Sequence, residues 1–251
     1  MYINWKKSIF VVCDIAIVAY LLLAVTAFNK PDAVSTLCSE VKIDVEQNIV
    51  EGFMTAGEIK RILTQDKCYP LSKPMSEINA RQIEESLKKS PFVENAECYK
   101  TQSGTVCIYV KQRIPVVRVM ADNGENYYVD THGSMMPESR FVTDQIIATG
   151  NISRKYAQTT LTRVANQILQ DKFWKNQVVQ INILTDGSVE IVPRVGNHVI
   201  YLGAPINIDK KLERLRKFYL YGLNKAGWNK YNYINVEFDN QIICKRNKRK
   251  K

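Results

Sequence analysis

Histidines, cysteines and paired carboxylates carry most metal and acid–base chemistry, and this 251-residue chain has only two histidines, His132 and His198. They are far apart, and each stands beside turn-type residues. A hydrolase triad needs a histidine between a nucleophile and a carboxylate, and a zinc site needs clustered ligands; neither spacing is met. No cysteine pair has metal-ligand spacing, and neither G-x-G-x-x-G nor a P-loop occurs. Asp130, after "YYV" and before "THG", suits a turn residue bonding its own backbone, and His132 reads as a solvated turn residue. No carboxylate pair stands out. The expectation is no catalytic residue, no metal, no cofactor and no small-molecule substrate.

The six cysteines do not read as a disulfide framework. Cys13 lies in an apolar run. Val93, Ala96 and Cys98 share one strand face, while Val106, Ile108 and Val110 on the next strand turn Cys107 to the other side. Side chains on opposite faces of a sheet cannot bridge without backbone movement. Cys38 and Cys68 stay open as a candidate pair; buried free thiols are the default for the others.

Formal net charge is +10, but Lys245, Arg246, Lys248, Arg249, Lys250 and Lys251 crowd the last seven residues. The remainder is only mildly basic, which argues against nucleic-acid binding, where basic residues spread over a folded face. At the other end, Ser8 to Phe28 reads "SIFVVCDIAIVAYLLLAVTAF". About 20 apolar residues rise roughly 30 Å as a helix, the thickness of a bilayer core. Lys6 and Lys7 precede the run, so an uncleaved anchor with a cytoplasmic N-terminus and an exported bulk is expected. A cleaved signal peptide, with "AVTA" near its end, is the competing reading. Asp14 lies near the cytoplasmic end, either tolerated there or making a helix–helix contact.

These boundaries divide the chain into a cytoplasmic segment (1–7), an anchor (8–28), a linker (29–37), a first domain (38–113), a C-terminal β domain (114–246) and a basic tail (247–251). In the first domain "VKIDVEQNI" alternates as a strand. Thr55 and Glu58 have capping-box spacing ahead of Ile59, Ile62 and Leu63, and Asn79 is the expected N-cap of a helix with Ile83 and Leu87 inward. A hairpin turned at Ser103–Gly104 follows. The order is βααββ, two helices on one face of a three-stranded sheet. After Pro115 come two strands with turns at Asn123–Gly124 and His132–Gly133, and then one helix over "SRKYAQTTLTRVANQILQDKFW". A β-meander with a tight Asp186–Gly187 turn follows, then a helix with Leu212, Leu215, Phe218 and Tyr219 inward, and a closing β segment. The fold class is α+β, with a mostly antiparallel second domain containing two helices.

"LKKSPFVENAECYKTQSGTVCIYVKQRIPVVRV" resembles the end of the polypeptide-transport-associated (POTRA) domain of the bacterial division proteins FtsQ/DivIB. "YYVDTHGSMMP" and "YINVEFDNQIICK" resemble that family's next signature and its closing strands. The order of these motifs behind one N-terminal anchor is more specific than any of them alone. Cys98 departs from the pattern, standing where the family usually has a hydrophobic residue. The resemblance implies a non-enzymatic, single-pass scaffold of the inner membrane at the division septum. Its bulk would be periplasmic, recruited through the POTRA domain and membrane helix, and its C-terminal β domain would hold the small coiled-coil proteins FtsB and FtsL.

The last segment then matters most. Either Tyr233 to Phe238 and Gln241 to Arg246 are two strands joined at Asp239–Asn240, or they form one long strand with a bulge there. Both readings leave the outer edge of the last strand open, guarded by charge only at Lys245 and Arg246. The expected partner-binding residues are Phe238, Asn240, Gln241, Ile242, Ile243, Cys244, Lys245 and Arg246, acting by β-strand addition. Two rival classes make different demands. A POTRA-bearing envelope-assembly chaperone should show repeated units or a barrel, and an exported cell-wall enzyme should show a polar cleft in the second domain.

Overall fold

Thr55 and Asn79 each start a helix, as their types and spacing require. The Thr55 side chain accepts from the Glu58 N–H and the Glu58 carboxylate accepts from the Thr55 N–H, a complete capping box for α2, Ala56–Gln65. Asn79 caps α3, Ala80–Lys88, through Gln82. The computed structural model describes residues 5–28, 36–46, 54–139 and 145–247, excluding the side chains of 5–11 and 25–28. The linker from 29 to 35 and the tail from 248 onward lie outside the described residues, as do the Lys6 and Lys7 side chains.

α1, Trp5–Phe28, is a 24-residue helix where the anchor is expected. Val12, Ile15, Val18, Tyr20 and Leu21 are all exposed on it, so its apolar surface runs around the helix and not along one stripe. Among the described residues, no helix is long and apolar enough to cross a membrane. The fold therefore lends the anchor no support beyond the helix itself.

The first domain has the expected βααββ order. β1, Glu40–Val45, lies parallel to β3, Thr105–Gln112, and β2, Val93–Lys100, pairs antiparallel on the other side of β3. The sheet order is therefore β1-β3-β2. Ile59 and Leu63 from α2 and Ile83 and Leu87 from α3 pack with Val93, Ala96, Val106, Ile108 and Val110. Cys98 stands opposite Ile108 and is buried, while Cys107 stands opposite Tyr99 on the open face, as alternation requires. Cys38 and Cys68 are both free and buried, each thiol donating to a main-chain carbonyl, of Glu40 and Leu63 respectively. The candidate bridge is not formed in this structure.

The second domain is a nine-stranded sheet with helices on one face. Its strands are β4 Pro115–Ala121, β5 Asn126–Asp130, β6 Met135–Pro137, β7 Ile146–Gly150, β8 Val178–Ile183, β9 Val189–Pro193, β10 Val199–Gly203, β11 Tyr231–Asn235 and β12 Ile243–Arg246. They are ordered β12-β11-β10-β9-β8-β7-β4-β5-β6. The meander β8–β9–β10 and the turns at Gly124, Gly133 and Gly187 are as expected. β7 is a strand the sequence reading lacked. It makes the centre of the sheet parallel, β4 to β7 and β7 to β8, and β10 with β11 is parallel too; the other pairings are antiparallel. At Gly150 the backbone takes φ +99 and a Cβ would collide with the Ile183 carbonyl, so glycine is required where β7 meets β8.

The expected helix from Ser153 to Trp174 is broken. α4, Arg154–Tyr156, runs through a π-helical turn, Ala157–Leu161, into α5, Thr162–Gln170. Asp171 then leaves helical geometry and its carboxylate caps α6, Lys172–Gln177, accepting from Phe173 and Trp174 at 2.8 and 3.2 Å. A short acidic side chain that can bond two free N–H groups stops one helix and starts the next. The last helix, α7, Ile208–Lys217, likewise passes through a π-helical turn, Phe218–Leu223, into α8, Asn224–Ala226. Leu212, Leu215 and Tyr219 are buried as expected; Phe218 is only half-buried. Trp174 fills the centre of this core, its indole N–H donating to the Leu212 carbonyl.

The terminal edge as a candidate functional site

β12 is the outermost strand on its side of the sheet, and among the described residues nothing pairs beyond it. Its pairing with β11 is antiparallel, with Ile243 opposite Asn235, Cys244 opposite Ile234 and Lys245 opposite Tyr233. The chain therefore returns as two strands, the first of the two conformations expected. The connection is longer than a tight turn: β11 ends at Asn235, so Phe238 is not in it, and Gln241 and Ile242 precede β12. Asn240 takes the left-handed conformation, φ 62, within that connection.

The direction of each main-chain group follows from one hydrogen bond. Val236 N–H donates to the Tyr201 carbonyl, so Val236 and, by alternation, Ile234 face β10. Tyr233 and Asn235 then face β12 and exchange bonds with Lys245 and Ile243. The Asn247 N–H donating to Lys230 continues the same phase. Cys244 and Arg246 thus turn their N–H and C=O groups outward, in a strand with no further neighbour among the described residues.

The side chains divide between the two faces. Ile242 and Cys244 pack against the core, and burial pushes the Cys244 thiol pKa up. Ile243 is exposed at 47%, Phe238 at 49%, and Asn240, Gln241 and Arg246 are exposed too. Lys245 lies 4.9 Å over the Tyr233 ring, which in turn stacks on Tyr201. Of the two isoleucines, Ile243 is the outward one.

A groove of about 660 Å³ adjoins the edge. Asn240, Gln241 and Ile242 form one wall; Lys210, Glu213, Arg214, Lys217, Phe218 and Tyr221 form the other. The sequence reading placed no helix residue at the site. The signal was present: Lys210, Glu213, Lys217 and Tyr221 recur at helical spacing on the side away from Leu212 and Leu215.

Asp130 Oδ1 accepts from the His132 and Ser134 N–H groups, as expected for a turn, and Oδ2 accepts from Arg113 at 2.8 Å. His132 is exposed, whereas His198 is buried, its Nε2 lying 2.7 Å from the Tyr219 hydroxyl. A polar hollow of about 380 Å³ lies at the ends of β4, β7 and β8, with Asp122 and Asp186 in its wall. Hydrogen bonds from Ser188 hold the Asp186 carboxyl below its usual range, the opposite of what a general acid needs. Among the described residues no group of three His, Cys, Asp or Glu side chains could hold a metal ion.

A βααββ unit is followed by a sheet whose outermost described strand, β12, has an edge of the kind that can take up a further strand. Residues 114–245 match the family model described as FtsQ/DivIB, C-terminal related, and residues 36–111 match a POTRA-like domain. The chain belongs to the FtsQ/DivIB family. No curated protein matches it. The family supports a scaffold role in bacterial cell division, exercised through protein–protein interaction.

Proposed function

We propose that this protein is a non-enzymatic divisome scaffold that holds FtsB/FtsL-like proteins by adding an extended segment of the partner to β12. The observation that carries this reading is the outward row of main-chain groups at Cys244 and Arg246, at the open end of a nine-stranded sheet. Main-chain pairing would fix the register. Ile243 and Phe238 would anchor the partner, each worth about 1–3 kcal/mol if fully buried. Asn240, Gln241 and Ile242 would line the approach beside α7.

α1 would anchor the chain in the inner membrane with the N-terminus cytoplasmic and the bulk periplasmic, at the septum. What supports this reading is the sequence: the apolar run from Ser8 to Phe28, preceded by Lys6 and Lys7. A membrane-impermeant thiol reagent should label a cysteine engineered at Asn29 in intact spheroplasts; labelling only after lysis would reverse the topology.

The test of the edge uses the full chain co-expressed with its FtsB-like partner and captured from solubilised membranes. Truncation after Asp239 removes β12 and should abolish capture. Removal of Asn247 to Lys251 should leave it intact, because attraction to a basic tail is screened within about 8–10 Å at working salt and main-chain pairing is not. Capture that survives truncation after Asp239 would move the binding site to the POTRA domain.

A further inference from the structure

One residue of α7 bonds the connection that leads from β11 to the terminal strand. Arg214 Nη2 donates to the Val236 carbonyl at 2.7 Å, and Nη1 meets Asp239 Oδ1 at 3.2 Å. Val236 is the first residue after β11, and Asp239 stands in the middle of the connection to β12. One guanidinium, only 19% exposed, therefore grips the connection at its start and its midpoint. One turn earlier, Lys211 is buried and gives its ammonium to the Leu202 and Ala204 carbonyls, at the end of the parallel neighbour β10. Burial lowers the Lys211 pKa, the cost of placing a cation there. The two cations sit three positions apart on one helix face and close the ends of two adjacent strands.

Packing holds β12 lightly. The strand is four residues long, its one core-facing side chain, Cys244, is partly buried, as is Ile242 just before it, and Lys245 covers the Tyr233 ring from the open face. A short edge strand with one half-buried side chain is the kind of element that frays. We propose that Arg214 is the positioning residue of the capture edge: it latches the 236–242 connection and so keeps β12 in register, with Cys244 and Arg246 facing outward. The consequence for capture rests on the edge reading above; the consequence for the order of β12 does not.

The test is amide hydrogen exchange on the full-length protein in detergent, read at Ile243, Lys245 and Asn247, whose N–H groups point to the β11 side, and at Ile181 and Ile191 in the sheet centre. Arg214→Ala should speed exchange at the first three by about tenfold or more, the effect of losing one charged hydrogen bond. Ile181 and Ile191 should not change. Arg214→Lys keeps one donor and should fall between. A second variant separates positioning from general weakening. Ile234 and Cys244 are directly opposed and, by the phase above, form a non-hydrogen-bonded pair, whose Cα spacing of about 4.5 Å suits a disulfide. Arg214→Ala combined with Ile234→Cys, oxidised, should recover protection at Ile243 and Lys245 and recover capture of the FtsB-like partner; the same chain reduced should recover neither. Unchanged exchange in Arg214→Ala would overturn the latch, as would equal loosening at Ile181 and Ile191. Recovered protection without recovered capture would instead overturn the edge reading while leaving the latch intact.

Discussion

Cys244 and Lys245 are neighbours with opposite duties, and substitution can separate them. The Cys244 N–H points outward and the Lys245 N–H bonds to β11, following the phase set by Val236. Proline removes one donor and tolerates an edge position only where its N–H would face away from the sheet. Cys244→Pro should therefore abolish partner capture while leaving exchange protection at Ile243 and Lys245. Lys245→Pro should release β12 from β11, seen as fast exchange at Ile243 and Asn247. Equal behaviour of the two would refute the assigned phase. His198 gives a second test at this scale. It is buried against Tyr219, and burial lowers its pKa in the folded chain. The unfolded chain then takes up a proton first as pH falls, so stability is complete above about pH 6.5 and declines below it, by up to about 1.4 kcal/mol per pH unit. His198→Gln should flatten that slope in denaturant titrations between pH 7 and 5; an unaltered slope would place its origin elsewhere. The sequence showed His198 beside turn residues but not its burial, because Tyr219, whose ring and hydroxyl meet it, comes from the last helix.

Elements were legible in the sequence where local chemistry decides them. Thr55 with Glu58, Asn79 and the Asp186–Gly187 turn each satisfy or redirect their own backbone, so neighbours in sequence suffice to read them. β7 was not legible for the opposite reason. Its five residues, "IIATG", have no turn partner nearby and become a strand only because β4 and β8 flank them in parallel. The break at Asp171 was missed because the apolar period runs on into Phe173 and Trp174, and only the cap shows that the helix restarts. The candidate site divides along the same line. That the last strand is an edge could be read from the apolar run giving way to charge, whereas the helical wall of the groove and the outward choice of Ile243 depend on tertiary packing. Among the legible elements, α3 offers the cleanest measurement. Leu87 is fully buried between α3 and the POTRA-like sheet. Leu87→Ala should cost about 2–5 kcal/mol through the cavity it leaves, read from the denaturant midpoint of unfolding. A change near zero would contradict the packing of that face.

At the scale of the whole molecule, a small joint couples the two domains. Arg113 follows directly on β3, and its main-chain N–H donates to the Phe92 carbonyl within the first domain. Its guanidinium reaches the second domain and bonds Asp130 Oδ2, on a carboxylate only 2% exposed. Phe92 packs from the first domain onto Tyr128 and Met136 of the second. A polar clasp and an apolar one therefore act on the same joint. Removing only the cation would leave a buried carboxylate with two N–H donors but no counter-charge, which is costly. Replacing Asp130 with asparagine keeps an acceptor for the His132 and Ser134 N–H groups. A double-mutant cycle with Arg113→Met and Asp130→Asn should give a coupling energy of about 1–3 kcal/mol, well above the error for independent sites. Added salt should change it little, because the carboxylate is shielded from solvent. Arg113→Met alone should also split thermal unfolding of the full chain into two transitions, since fewer contacts would then make the domains melt together. A coupling near zero, with two transitions already present in the unmodified chain, would mean that the domains move independently. β12 would then swing freely relative to the POTRA-like domain.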